Sequence, residues 1–218
     1  MIPWQTIATA QTDEGLLELR RHGDSEYLIV IAGRVLMNSA SRRSEEALAT
    51  LACRGLKTTR PHVLIGGLGM AFTLRAALDC LGAAAKVTVA ELNADIVAWC
   101  EGPLATSTAH AVHDPRVEIK IADVAAVIAA AKPGTYDAIV LDLYEGPNAA
   151  TQRDDDAFYG NAALDRQVRA LRPGGVLAVW SEDADAAFAK RMSARLAVTT
   201  HRIGSGGRRH VVYIGQRA

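Results

Sequence analysis

Three glycines and a set of acids are the residues of this chain whose types and spacing can do chemistry. Gly66, Gly67 and Gly69 fall in "PHVLIGGLGMAFTLRAAL", residues 61–78, between an apolar strand-like run and a helix-like one. Lacking side chains, they let the backbone turn sharply and approach a ligand while the next helix offers unpaired N–H groups. Glycine is also ordinary in a tight strand-to-helix turn, and this stretch alone does not separate the two. Glu91 ends "VTVAEL", about 20 residues after the glycines, where an acid can accept both hydroxyl protons of a ribose. Asp123 ends "RVEIKIAD". It can accept from an adenine amino group, with Val124 over the ring face, or simply cap the helix "VAAVIAAA". In "YDAIVLDLYEGPN", Asp142 and Glu145 flank Tyr144, and two carboxylates in one loop can hold a cationic amine and supply a base. An alkylammonium has a pKa of about 10, so an amine must lose a proton before it attacks carbon. Asp142 is the expected base, with Tyr144 and Glu145 beside the acceptor.

These residues need a scaffold that brings strand ends together. From Pro61 onward the apolar runs "HVLIGG", "KVTVAEL", "VEIKIAD", "YDAIVLDL" and "GVLAVWSE" alternate with helical stretches. Continuous apolar runs are what strands buried on both faces look like, and helical crossovers make the sheet parallel. The sequence therefore predicts an α/β, doubly wound, mostly parallel sheet, and in such sheets ligands bind outside the carboxyl ends of the strands, at the switch point. The tail, "LAVTTHRIGSGGRRHVVYIGQR", reads as an antiparallel pair around a Gly-Ser-Gly-Gly turn that finishes the sheet. Ahead of the glycines, "WQTIATA", "GLLELRRH" and "EYLIVIAGRVLMNS" read as three strands of a small antiparallel sheet. The helix "SRRSEEALATLACRG" follows, with Ser41 or Ser44 as its N-cap. The expected division is residues 1–40 for the small sheet and 41–218 for the nucleoside-binding domain.

Composition narrows the function classes. Lys+Arg and Asp+Glu balance at 24 each among 218 residues, so no overall field draws the chain to nucleic acid or to an anionic membrane surface. The basic clusters "RGLKTTRPH" and "GSGGRRH" read as solvated loops. Cys53, Cys80 and Cys100 form no CxxC pair, and His110 with His113 has no further ligand, so neither a disulfide framework nor a metal site is expected. "MIPWQTIATAQTDEG" shows no basic-then-apolar leader, and no apolar run approaches the roughly 20 residues that cross a membrane. A cytoplasmic location is expected, and the edge of a small N-terminal sheet permits a homodimer.

Taken together, "VLIGGLG", "VAEL", "HDPRVEIKIAD", "YDAIVLDLYEGP", "FYGNAALDRQVRALRPGGVLAVW" and "RVLMNSASRRSEEAL" resemble the spermidine synthase-like aminopropyltransferases of the S-adenosylmethionine-dependent methyltransferase superfamily. The resemblance runs from Val35 to Trp180. It implies a seven-stranded methyltransferase-type sheet with an antiparallel last strand, no metal, and S-adenosylmethionine or its decarboxylated form as co-substrate. It further implies that Gly67 and Gly69 cradle the methionine-derived part, that Glu91 takes the ribose and Asp123 the adenine, and that Asp142 is the catalytic carboxylate. Glu145 takes the place of the second acid of the family's D-x-x-D loop. Two departures stand out. The family's aspartate for a propylammonium falls at Met70, and its "DE...YHE" segment is replaced by "SRRSEEAL", without tyrosine or histidine. The expected activity is transfer of an aminopropyl or methyl group to a small amine. The alternatives are methyl transfer to another small molecule, or nucleoside binding without catalysis.

Overall fold

A computed structural model describes residues 3–151, 153–204 and 209–218, the side chain of residue 149 apart. Four strands come first: β1 (Gln5–Thr12), β2 (Gly15–His22), β3 (Glu26–Ile31) and β4 (Arg34–Asn38), in that order as an antiparallel sheet. The run expected as one long third strand is therefore two. The chain reverses at Ala32 and Gly33, both at positive φ, which no strand can accommodate. Along β2, Leu17 and Leu19 are buried while Leu16 is exposed, the period-two alternation of a sheet with one face on a core.

Next come α1 (Arg43–Cys53), β5 (His62–Gly66), α2 (Phe72–Cys80), β6 (Lys86–Glu91), α3 (Ala94–Glu101), β7 (Val117–Ile121), α4 (Val124–Ala130) and β8 (Tyr136–Leu141). The chain closes with α5 (Asn161–Ala170), β9 (Leu171–Ser181), α6 (Ala186–Ser193), β10 (Ala197–Ile203) and β11 (His210–Gln216). The seven-stranded sheet has the order β10-β11-β9-β8-β5-β6-β7. Strands β5 to β9 pair in parallel, and β11 runs against both neighbours, as expected for a methyltransferase-type sheet. The expected turn of the last hairpin falls mostly on residues 205–208, outside the described residues.

The strand order reverses between β5 and β8, so the crevice of this sheet opens where Gly66 and Leu141 end their strands. One hydrophobic cluster joins the inner face of the small sheet, through Leu19, Tyr27 and Ile29, to Leu48 of α1, Leu74 of α2 and the β5 face carrying Val63 and Ile65. A second cluster lies under α4, α5 and α6 around Leu64, Ile139, Leu177 and Phe188. The sheet is thus covered on both sides, and the small N-terminal sheet shares a core with it.

Arg116, in "DPRV", has a structural task. Its guanidinium donates to the Leu78 and Leu81 carbonyls at 2.9 and 2.7 Å, and Asp114 holds it from the other side at 2.8 Å. It caps the carbonyl end of α2, where a cation also suits the helix dipole.

Candidate active site

Each glycine of the turn has its own physical reason. A Cβ on Gly66 would stand 2.8 Å from Val124 and 3.1 Å from Leu141, so this glycine lets α4 close on β5. Gly67 has φ +83°, and a Cβ there would stand 2.5 Å from the Asp142 carbonyl oxygen. Gly69 has φ +51°, and a Cβ there would stand 2.9 Å from the Met37 sulfur, so this glycine lets β4 dock on the turn. Cys100 adds a thiol bond to the Gly69 carbonyl at 3.2 Å; burial pushes that thiol up to about 12, so it stays protonated.

Glu91 ends β6 almost fully buried. Its two carboxylate oxygens accept the backbone N–H groups of Leu68 at 2.8 Å and Asn93 at 2.9 Å. It thereby clamps the glycine turn to the neighbouring strand end, and each oxygen keeps a lone pair for a further donor. Asp123 is exposed and caps α4, its Oδ1 accepting from the Ala125 N–H at 2.8 Å. Val124 is buried against Gly66 rather than lying open as a ring cover. The apolar surface at this edge comes from Leu92 and Ile121, 73% and 53% exposed at the ends of β6 and β7.

Asp142 follows β8, its N–H bonded to the Gly66 carbonyl at 2.9 Å. The residue is half-buried, its carboxyl being the enclosed part, and Thr73 Oγ1 donates to Oδ2 at 2.5 Å. Loss of solvation, then the charge of Glu45, pushes this carboxyl up to about 7, against the opposing bond from Thr73. Beyond it, Glu145 sits at φ +60° and Gly146 at +67°, with Gly146 packed against the Trp180 carbonyl and Ser181. That bend turns the loop outward. The Arg34 guanidinium of β4 stands 5.7 Å over the Tyr144 ring and 3.9 Å from Glu145 Oε1, so the ring and carboxylate already face a cation. Glu145, Asn148, Glu182, Asp183 and Asp185 line a cavity of about 710 Å³ next to this loop.

Sequence reasoning missed four residues behind Asp142. The N-cap is expected at Ser41 or Ser44; α1 instead begins after Arg42, without a side-chain cap, and Ser44 and Glu45 are buried at 4% and 7% exposure. Ser44 Oγ donates to Glu45 Oε2 at 2.6 Å and lies 2.9 Å from His210 Nδ1 on β11. Thr73 Oγ1 also reaches the Glu45 carbonyl at 3.4 Å. His210 of β11 joins this cluster from 166 positions along the chain from Ser44, a pairing no local pattern announces. The signal that was available is Glu45 itself, an acid on the apolar face of α1 beside Leu48 and Ala49.

Met70 does not face the crevice. Positive φ at Gly69 and Ala71 turns its side chain into the core, where it is 0% exposed, so it bears on no ligand's charge. Tyr159 packs edge-on to Phe188 inside the second cluster. The acids before it serve that turn, Asp156 accepting from the Phe158 and Tyr159 N–H groups, while α5 itself starts at Gly160 without a side-chain cap. Among the described residues no group of three His, Cys, Asp or Glu could hold a metal, and no helix is long and apolar enough to cross a membrane.

Comparison with known proteins bears on this geometry. The family model described as spermine/spermidine synthase domain matches residues 44–207. Spermidine synthase 1 of Pisum sativum is 39% identical over 69 residues, covering 32% of this chain and 19% of the relative. Putrescine N-methyltransferase 1 of Nicotiana tabacum is 33% identical over 137 residues, covering 63% of this chain and 34% of the relative. The chain therefore matches about a third or less of the length of these curated relatives. Among solved structures, spermidine synthase from Thermotoga maritima superposes with a TM-score of 0.77 at 19% identity, covering 98% of this chain and 73% of that one. A spermidine synthase complexed with the transition-state analogue AdoDATO gives the same TM-score at 18% identity.

Proposed function

Because the chain belongs to the spermine/spermidine synthase domain family, we propose that it is a transferase moving an aminopropyl or methyl group to a small amine. The co-substrate is S-adenosylmethionine or its decarboxylated form. The residues present fit such a nucleoside. Glu91 offers lone pairs to the ribose hydroxyls, Gly67, Leu68 and Gly69 offer backbone at the methionine-derived end, and Asp123 stands exposed for the adenine amino group. Leu92 and Ile121 supply the apolar surface that Val124, being buried, does not. When bound, the sulfonium supplies an alkyl group on a good leaving group.

The observation that carries the reading is Asp142, an enclosed carboxyl at the switch point that titrates at about 7. An ordinary carboxylate, at about 4, is a poor match for an ammonium at about 10; a group near 7 narrows that gap and makes a better base near neutral pH. Asp142 would take the proton of the amine as its nitrogen bonds to carbon and the carbon–sulfur bond breaks. Tyr144 and Glu145 would face the acceptor's cationic end, the place now approached by Arg34. No metal enters this scheme.

Methyl transfer has one specific support, the 33% identity to a putrescine N-methyltransferase over 63% of this chain. Calorimetric titration with S-adenosylmethionine, its decarboxylated form and methylthioadenosine, followed by turnover on putrescine, tests the whole reading. Binding of none of the three would sink the enzyme, and binding without turnover on any amine would leave a nucleoside-binding protein. Preference for the decarboxylated form would favour aminopropyl transfer.

A further inference from the structure

We propose that Glu45 is a positioning residue for Asp142: fixed by Ser44 and His210, its carboxylate adds to the effect of burial in making Asp142 a group that picks up and releases a proton rather than a permanent anion. The inference deepens the reading of Asp142 as the base and rests on it. Three elements converge on the pair. From α1, Ser44 and Glu45 point inward, both over nine-tenths buried. From α2, Thr73 Oγ1 donates to Asp142 Oδ2 at 2.5 Å and lies 3.4 Å from the Glu45 main-chain carbonyl, so one hydroxyl stands between Asp142 and the α1 backbone at Glu45. From β11, His210 meets Ser44 at 2.9 Å.

The direction of these bonds is fixed by counting protons. A serine hydroxyl has one, and Ser44 gives it to Glu45 at 2.6 Å. His210 Nδ1 must then be the donor to Ser44, which selects the tautomer with hydrogen on Nδ1. The Trp180 ring packs edge-on to that imidazole, centroids 4.9 Å apart, and holds its plane. The donor chain running from His210 through Ser44 holds the Glu45 carboxylate in place, and a second negative charge near Asp142 disfavours charge there. The other groups that face Asp142 are the Thr73 hydroxyl from α2, whose bond favours its anion, and the Tyr159 phenol ahead of α5, whose titration feels the Asp142 charge.

The test needs no ligand. With carbonyl-13C aspartate, the Asp142 carboxyl is followed by NMR across pH and assigned by the signal lost in Asp142→Asn. In the wild-type chain its midpoint is expected near neutral pH. Glu45→Gln keeps shape and hydrogen bonding but removes the charge, and the midpoint should fall by about one unit or more. Glu45→Asp keeps the charge and should keep most of the elevation. Ser44→Ala leaves the Glu45 carboxylate without the donor that fixes it, and the Asp142 midpoint should fall. His210→Phe should act in the same direction with a smaller shift. An Asp142 midpoint unchanged in Glu45→Gln, or already in the ordinary carboxylate range in the wild type, overturns the proposal. A purely structural Glu45 would change melting temperature without moving the midpoint. Nucleoside calorimetry on the unmodified chain tests the transferase reading separately, so the two can fail independently.

Discussion

Replacing Asp142 by Asn should cost activity and add stability, the second effect growing with pH. The isosteric amide keeps an oxygen to accept from Thr73 but can neither take a proton nor carry a charge. The wild-type carboxyl titrates at about 7 folded against an ordinary 3.8. Between those values the folded chain holds a proton that the unfolded chain has released. Stability therefore falls as pH rises toward 7 and is level above it. From pH 5 to pH 8 the wild type should lose at most about 2.7 kcal/mol, two units at 1.36 kcal/mol each, and roughly half that once the partial exposure of the residue is counted. The Asn variant does not share the loss. At roughly 2–4 °C per kcal/mol for a chain of this size, its melting temperature relative to wild type should rise by about 3–5 °C between pH 5 and 8. Scanning calorimetry at both pH values measures this. Turnover on whichever amine is found should drop by about 10²–10⁴-fold, the usual worth of a positioned base. A melting difference that does not change with pH would refute the enclosed carboxyl, and turnover that survives the substitution would refute its role.

Other substitutions test other parts of the site. Gly67→Ala puts a methyl 2.5 Å from the Asp142 carbonyl at a φ of +83°; it should destabilise by about 2 kcal/mol or more, read by denaturant unfolding. Glu91→Ala strands the Leu68 and Asn93 N–H groups, for a loss of about 1–3 kcal/mol in stability, and calorimetry should show nucleoside affinity falling at least tenfold. Arg34→Ala removes the cation that approaches Tyr144 and Glu145. KM for a diamine should fall severalfold with kcat little changed; a rise in KM would show instead that Arg34 helps to bind the acceptor. Arg116→Ala frees the Leu78 and Leu81 carbonyls at the end of α2 and should lower the melting temperature without altering the pH profile of activity.

What could be read from the sequence and what could not divide along a physical line. β5, β6 and β8 were legible because each is a largely continuous apolar run bounded by turn residues, and a strand buried on both faces leaves that signature locally; β7, the edge strand, alternates apolar with charged residues instead. The placement of Asp142, Glu91 and Asp123 was legible for a related reason: a doubly wound sheet obliges whatever ends its parallel strands to stand at one edge. The division of the third N-terminal run was not legible, because Ala32 gives no sign that it will adopt positive φ; only the pairing of β3 with β4 imposes it. Met70 misled because spacing along a turn says nothing about which way a side chain faces once the residues on either side, Gly69 and Ala71, are both left-handed. The cluster behind Asp142 was hidden more deeply still. Ser44 looks like a cap, Thr73 like a helix residue and His210 like part of a basic tail, and each acquires its role only where α1, α2 and β11 meet. Strand ends could be read one element at a time; the groups that tune them could not, because the charge felt by Asp142 depends on contacts among elements far apart in the chain.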